Sequence, residues 1–214
     1  MPSEGPQPDF SLLETMRLED GRVVRQEGHL ARMAAAARAH GFAWNPARVA
    51  DALAEAASRQ PSERWRIRLL LAVTGEPTVE CTAFPQTPGQ PWKVALAADP
   101  VDATDPLLRI KSTWRQVYDV ARQGRPEADD VVLWTRSGEI TESTIANVVV
   151  ELDGALYTPP ATSPLLPGVF RDELVRSGRL RERVILKHEA VAASRLWLVN
   201  SLREWIDAEW ALIS

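Results

Sequence analysis

Lysine and arginine together number 25 in this chain of 214 residues, and only three are lysines. One is Lys111, in RIKSTWRQVYDVARQ. Arginine serves as well as lysine for charge or solubility, but guanidinium stays protonated and cannot attack a carbonyl. Lys111 is therefore a candidate nucleophilic amine, or else a stray lysine of a codon-biased genome. Three other stretches carry candidate chemistry. In GEITESTIANVVV, Glu142 lies among Thr141, Ser143 and Thr144 just ahead of an apolar strand. It is either a solvated turn or cap residue, or a carboxylate held by its neighbours and aimed at a protonated ring nitrogen. In LLPGVFRDEL, Gly168 precedes a helix whose first backbone N–H groups suit an anion; an ordinary loop-to-helix junction has the same pattern. In LWLVNSLREW a strand ends at Val199, and Asn200 and Ser201 follow. Ligands sit at such strand ends in α/β layers, although a plain turn reads the same way.

Singly these signals are weak. Together they describe one ligand, with a phosphate, a ring nitrogen in need of a carboxylate and an aldehyde in need of a lysine. That ligand is pyridoxal 5'-phosphate.

The elements that must position these residues fall into two halves. FSLLETMRL reads as a strand, and EDG as a turn into a second strand, RVVR. HLARMAAAARAHGF is an alanine-rich helix closed by Gly41. Asn45 caps the next helix, with Pro46 at its first position. WRIRLLLAV, TVECTAF and WKVALAA read as strands. Residues 99–108, DPVDATDPLL, have the aperiodic Pro/Asp composition of a linker. Beyond it come Lys111, a helix at STWRQVYDVARQG and strands at DDVVLWT and ANVVVEL. A DG hairpin turn follows at Asp153 and Gly154. A proline-rich loop leads to the helix VFRDELVRSG, and RVILK and RLWLV close as strands. The expectation is an α+β or α/β fold: a lead-in at 1–8, a domain at 9–98, the linker, and a second domain at 109–214.

Bulk properties narrow the function classes. The length suffices for a real core, and no apolar run is long enough to span a membrane. MPSEGPQPDF has neither the basic nor the apolar region of a signal peptide. A lone cysteine, Cys81, gives no disulfide framework and suits a cytoplasmic setting. Three histidines, scattered along the chain, do not suggest a metal site. A net charge of −4 without a basic stripe argues against a nucleic-acid partner.

Taken in order, LLETMR, HLARM, KSTWRQVY, ITESTIANVVV, LLPGVFRDEL and VNSL resemble the class IV aminotransferase family, the fold-type IV group of pyridoxal phosphate enzymes, across residues 10 to 206. The resemblance implies a D-amino acid aminotransferase-like fold of two small α/β domains with the cofactor in the cleft between them. It also implies a homodimer acting on a small-molecule substrate. By position, Lys111 is the Schiff-base lysine and Glu142 the carboxylate on the pyridine nitrogen. Arg32 is the arginine on the phosphate, Val169 and Phe170 are its backbone donors, and Ser201, next to Asn200, is the hydroxyl beside it.

Within the family the details lean towards 4-amino-4-deoxychorismate lyase, in particular the module fused behind aminodeoxychorismate synthase component I. Thr15 stands where lyases tend to carry a threonine able to relay a proton, and ANVVV and VNSL resemble the lyase versions. The lyase releases pyruvate and 4-aminobenzoate for folate synthesis. The alternatives are an aminotransferase on branched-chain or D-amino acids and a non-catalytic relative. Arg17, Arg66, Arg68 and Arg109 are candidates for binding substrate carboxylates. Two departures stand out: the family's D-R-G…G-D-G lead-in is missing, and Arg109-Ile110 precedes the lysine where lyase modules often show a histidine.

Overall fold

The structure, a computed structural model, describes residues 10–60, 63–84 and 89–211. The expected lead-in at residues 1–8 lies outside the described residues. The chain divides into two compact units: Met1–Pro85 with Ile110–Trp114, and Gln86–Arg109 with Arg115–Ser214. This division differs from the expected one at two places. The WKVAL strand and residues 99–108 belong to the second unit, because that strand pairs there and Val101 bridges Thr135. The Lys111 segment returns to the first unit, because its backbone pairs with a strand there.

The first unit contains β1 (Leu12–Glu19), β2 (Arg22–Val23), α1 (Gln26–His40), α2 (Pro46–Ser58), β3 (Trp65–Leu71) and β4 (Pro77–Ala83). The strands form an antiparallel sheet in the order β2-β1-β3-β4. Asp20 and Gly21, with φ of 50° and 72°, make the two-residue turn between β1 and β2. The expected RVVR strand is cut short because Arg25 turns left-handed at φ 58° and α1 begins at once. Alternation decides the faces. Leu12, Glu14, Met16 and Leu18 of β1 and Ile67, Leu69 and Leu71 of β3 are buried, on the face where α1 packs through His29, Met33, Ala34 and Ala37. Asn45 caps α2 by accepting the Arg48 N–H at 3.1 Å.

The second unit contains β5 (Trp92–Leu96), a 3-10 turn (Pro106–Arg109), α3 (Gln116–Gln123), β6 (Asp130–Trp134), β7 (Ile140–Ser143), β8 (Asn147–Leu152) and β9 (Ala155–Thr158). It continues with α4 (Val169–Arg176), β10 (Arg181–Glu182), α5 (Lys187–Ala192), β11 (Arg195–Asn200) and β12 (Glu204–Trp210). The sheet order is β10-β9-β8-β11-β12-β5-β6-β7, and β7 pairs back to β8 at Glu142 and Asn147. Strands β8, β11, β12, β5, β6 and β7 thus close into a barrel-like ring. The continuous VVV run of β8 follows from this, since both its faces are covered. Val148 and Val150 join Val94, Val132, Leu198 and Ile206 in one core, while Val149 packs with Phe170 and Leu174 of α4.

Asp153 and Gly154, at φ 51° and 74°, form the expected turn between β8 and β9. Two expectations fail. The helix after Lys111 begins only at Gln116, because residues 112 and 113 pair with β1 and its leading edge. RVILK is not a strand: Ile185 drops into the core and Leu186 makes a single bridge to Glu139 before α5 starts. β12, for which the sequence reading offered no element, pairs antiparallel with β11 and parallel with β5.

Candidate active site

The first unit fixes Lys111 by its backbone. Leu13 N–H donates to the Lys111 carbonyl and Thr113 N–H to the Ser11 carbonyl, each at 2.9 Å. Leu12 bridges Ser112, and Ser11 N–H donates to the Thr113 hydroxyl at 3.0 Å. In this register Lys111 stands opposite Leu13 and is half-buried. Thr15 and Arg17 continue the Leu13 face of β1. Their partners on β3 are Arg68 and Arg66 respectively, so the four share the sheet face opposite the helices. Arg17 pairs with Glu19 at 3.2 Å, and Arg68 lies 3.7 Å from Glu80.

On the helix face sits a buried ionic cluster. Arg32 Nε donates to Glu14 Oε1 at 2.8 Å, and a terminal guanidinium nitrogen donates to Oε2 at 2.6 Å. His29 Nδ1 contacts the same Oε2 at 2.7 Å. Burial alone would raise the Glu14 pKa, but the Arg32 guanidinium and the His29 hydrogen bond outweigh it and hold the carboxyl at about 2. Burial, with Arg32 and Lys111 adding to it against the pull of Glu14, lowers the pKa of His29. A neutral ring donating from Nδ1 to the carboxylate fits this setting.

In the second unit Glu142 is 4 % exposed on β7 and accepts the Tyr118 hydroxyl at 2.9 Å. The hydroxyls expected to hold it are directed elsewhere. Thr141 donates to the Leu133 carbonyl, Ser143 to the Ala146 carbonyl and Thr144 to the Asp130 carboxylate. Asn147 spans the loop before α4: its Nδ2 donates to the Leu166 carbonyl at 2.9 Å and its Oδ1 accepts the Gly168 N–H at 3.0 Å. Gly168 is needed for this approach, since a Cβ there would lie 2.2 Å from Asn147 Oδ1. At its start α4 has no side-chain cap hydrogen bond among the described residues.

Asn200 Oδ1 accepts the N–H groups of Leu202 at 3.1 Å and Arg203 at 2.9 Å. Its carboxamide thereby shapes the turn that carries Ser201, which is 7 % exposed. Arg109 donates to the Ala161 and Thr162 carbonyls at 2.9 and 2.7 Å. It thereby pins the proline-rich loop. Arg171, 2 % exposed, ties the same loop to β10 through the Pro159 carbonyl at 2.7 Å and Glu182 at 2.5 Å.

Sequence reasoning missed Glu14, His29, Tyr118, Asn147 and Arg171. For Glu14 a signal existed: it occupies an apolar-face position in LLETMRL, where an unpaired carboxylate would be costly. His29 and Arg32, three apart on one helix, lie on one side of it. Nothing local pairs Tyr118 with Glu142.

The model of the amino-transferase class IV family matches residues 11–209. The chain belongs to the class IV aminotransferase family. Members of this family are pyridoxal phosphate enzymes. A Schizosaccharomyces pombe protein named "Putative aminodeoxychorismate lyase" is 29% identical over 205 residues, covering 92% of this chain and 87% of that protein. A structure from Mesorhizobium loti, described as a "Putative amino-acid aminotransferase", is 38% identical with a TM-score of 0.89, covering 95% of this chain and all of that one. A structure described as a "Putative 4-amino-4-deoxychorismate lyase" from Legionella pneumophila has a TM-score of 0.80 at 20% identity, covering 95% of this chain and 84% of that one, and shares the fold. The family match leaves the choice between lyase and aminotransferase open, because both draw on the same cofactor chemistry.

Proposed function

We propose that this class IV family member is a pyridoxal phosphate-dependent lyase that converts 4-amino-4-deoxychorismate into pyruvate and 4-aminobenzoate. The observation that carries the reading is the shared sheet face of Thr15, Arg17, Arg66 and Arg68. It offers a hydroxyl and three guanidinium groups to a substrate with two carboxylates. The name of the Schizosaccharomyces pombe relative supports the same choice.

The residues present fit the cofactor. By the family's pattern, Lys111 would supply the amine that attaches it, and the buried Glu142 carboxylate would pair with its ring nitrogen. By the same pattern, the Val169 and Phe170 N–H groups at the start of α4, with Arg32 and Ser201, would take its phosphate. When bound, the cofactor supplies an electron sink. The Lys111 amine removes the proton from the substrate carbon that bears nitrogen. Thr15 hands a proton on as the enolpyruvyl ether bond breaks. The departing group becomes pyruvate, the ring becomes aromatic, and no water is consumed.

The second reading, an aminotransferase, is favoured by the name of the Mesorhizobium loti relative. Purified protein with pyridoxal phosphate, given enzymatically generated aminodeoxychorismate, tests the choice. The expected result is equimolar pyruvate and 4-aminobenzoate, lost in Lys111→Ala. Absence of both products, with keto acids formed from L- or D-amino acids, would assign the chain to the aminotransferases.

A further inference from the structure

Tyr118 lies in the first turn of α3, 8 % exposed, in a core with Leu108, Ala121, Val131 and Leu133. Its hydroxyl reaches Glu142 Oε1 at 2.9 Å. Burial first, and then the Glu142 charge, raises the phenol pKa, so the hydroxyl stays a neutral donor. Arg115 reinforces the arrangement from the same segment. Its guanidinium stands 4.7 Å from the Tyr118 ring centroid and donates to the Thr144 carbonyl at 2.6 Å, two residues beyond Glu142. Ring and strand end are therefore held by one side chain.

The chemistry of the donor matters. A phenol is a neutral donor, so its hydrogen bond adds no charge that would compete with a cationic ring nitrogen for the carboxylate. Its single hydrogen bond orients the carboxylate oxygen it meets. We infer that Tyr118 is a positioning residue that aims Glu142 at the cofactor's ring nitrogen. The inference rests on the reading of Glu142 given above.

The test is the affinity of the full-length apoprotein for two probes: pyridoxal phosphate, and its 1-deaza analogue, in which a carbon replaces the ring nitrogen. Wild type is expected to prefer pyridoxal phosphate, and Glu142→Gln to abolish most of that preference. Tyr118→Phe is expected to lower the preference by about tenfold, the value of one hydrogen bond to a charged group, with affinity for the deaza analogue unchanged. An undiminished preference in Tyr118→Phe would overturn the inference while leaving the cofactor reading intact. So would an equal loss for both probes, which is the signature of a merely structural tyrosine. A wild type that binds both probes equally, or neither, would remove the reading of Glu142 itself, and the inference with it.

Discussion

Lys111 is fixed through its backbone: the Leu13 N–H donates to its carbonyl and holds it against β1. That separates position from reactivity, because any residue could make the backbone bond, while only a deprotonatable amine can form an imine. Lys111→Arg should therefore fold like wild type and keep the charge, yet lose borohydride-fixable cofactor absorbance completely, as Lys111→Ala does. Absorbance and mass spectrometry after borohydride reduction check this. Retained fixation in either variant would point to Lys93 or Lys187. Glu14 is the complementary case. Its two partners are on α1, so a single carboxylate orients both His29 and Arg32.

At the scale of elements, the start of α4 depends on a contact between β8 and the loop before the helix. Asn147 holds two backbone groups of that loop, and the missing Cβ of Gly168 permits its approach. Gly168→Ala should push the Asn147 carboxamide away and cost about 2–4 kcal/mol, two broken hydrogen bonds plus local strain. Phosphate affinity should fall with it. Asn147→Ala removes the clash, so the double variant should be less destabilised than the sum of the two single variants. Thermal unfolding of the four proteins measures the cycle, and strict additivity would show that the two residues do not act through each other.

At the scale of the whole molecule, acid stability reports the Glu14 cluster. Its carboxyl titrates at about 2 in the folded chain, against an ordinary value of 4.5. A lowered carboxyl contributes stability that is complete above the unfolded value and is lost as pH falls through the folded one. The loss should run from about pH 4.5 down to 2 and amount to about 3 kcal/mol for this group. Denaturant unfolding across that range should show a shallower slope in Glu14→Gln. An identical slope would mean that other carboxylates dominate acid unfolding.

Much of this molecule was legible locally. Alternation gave β1 and β3 their faces, Asn45 and Gly41 marked helix ends, and the Asp-Gly pairs at 20–21 and 153–154 made the turns their φ angles require. The candidate residues could be proposed by type, since lysine, glutamate and a glycine-led helix are what this cofactor chemistry needs. The partners were not. β5 lies in sequence beside the first unit's strands but pairs with β6 and β12, and Tyr118 meets Glu142 across 24 residues of chain. Periodicity and capping depend on neighbours within a turn or two, and so the sequence by itself determined elements and residue chemistry. Strand order, the closure of β7 on β8 and the hydrogen-bond partner of each buried carboxylate are set by contacts distant in the chain, and these only the tertiary structure decided.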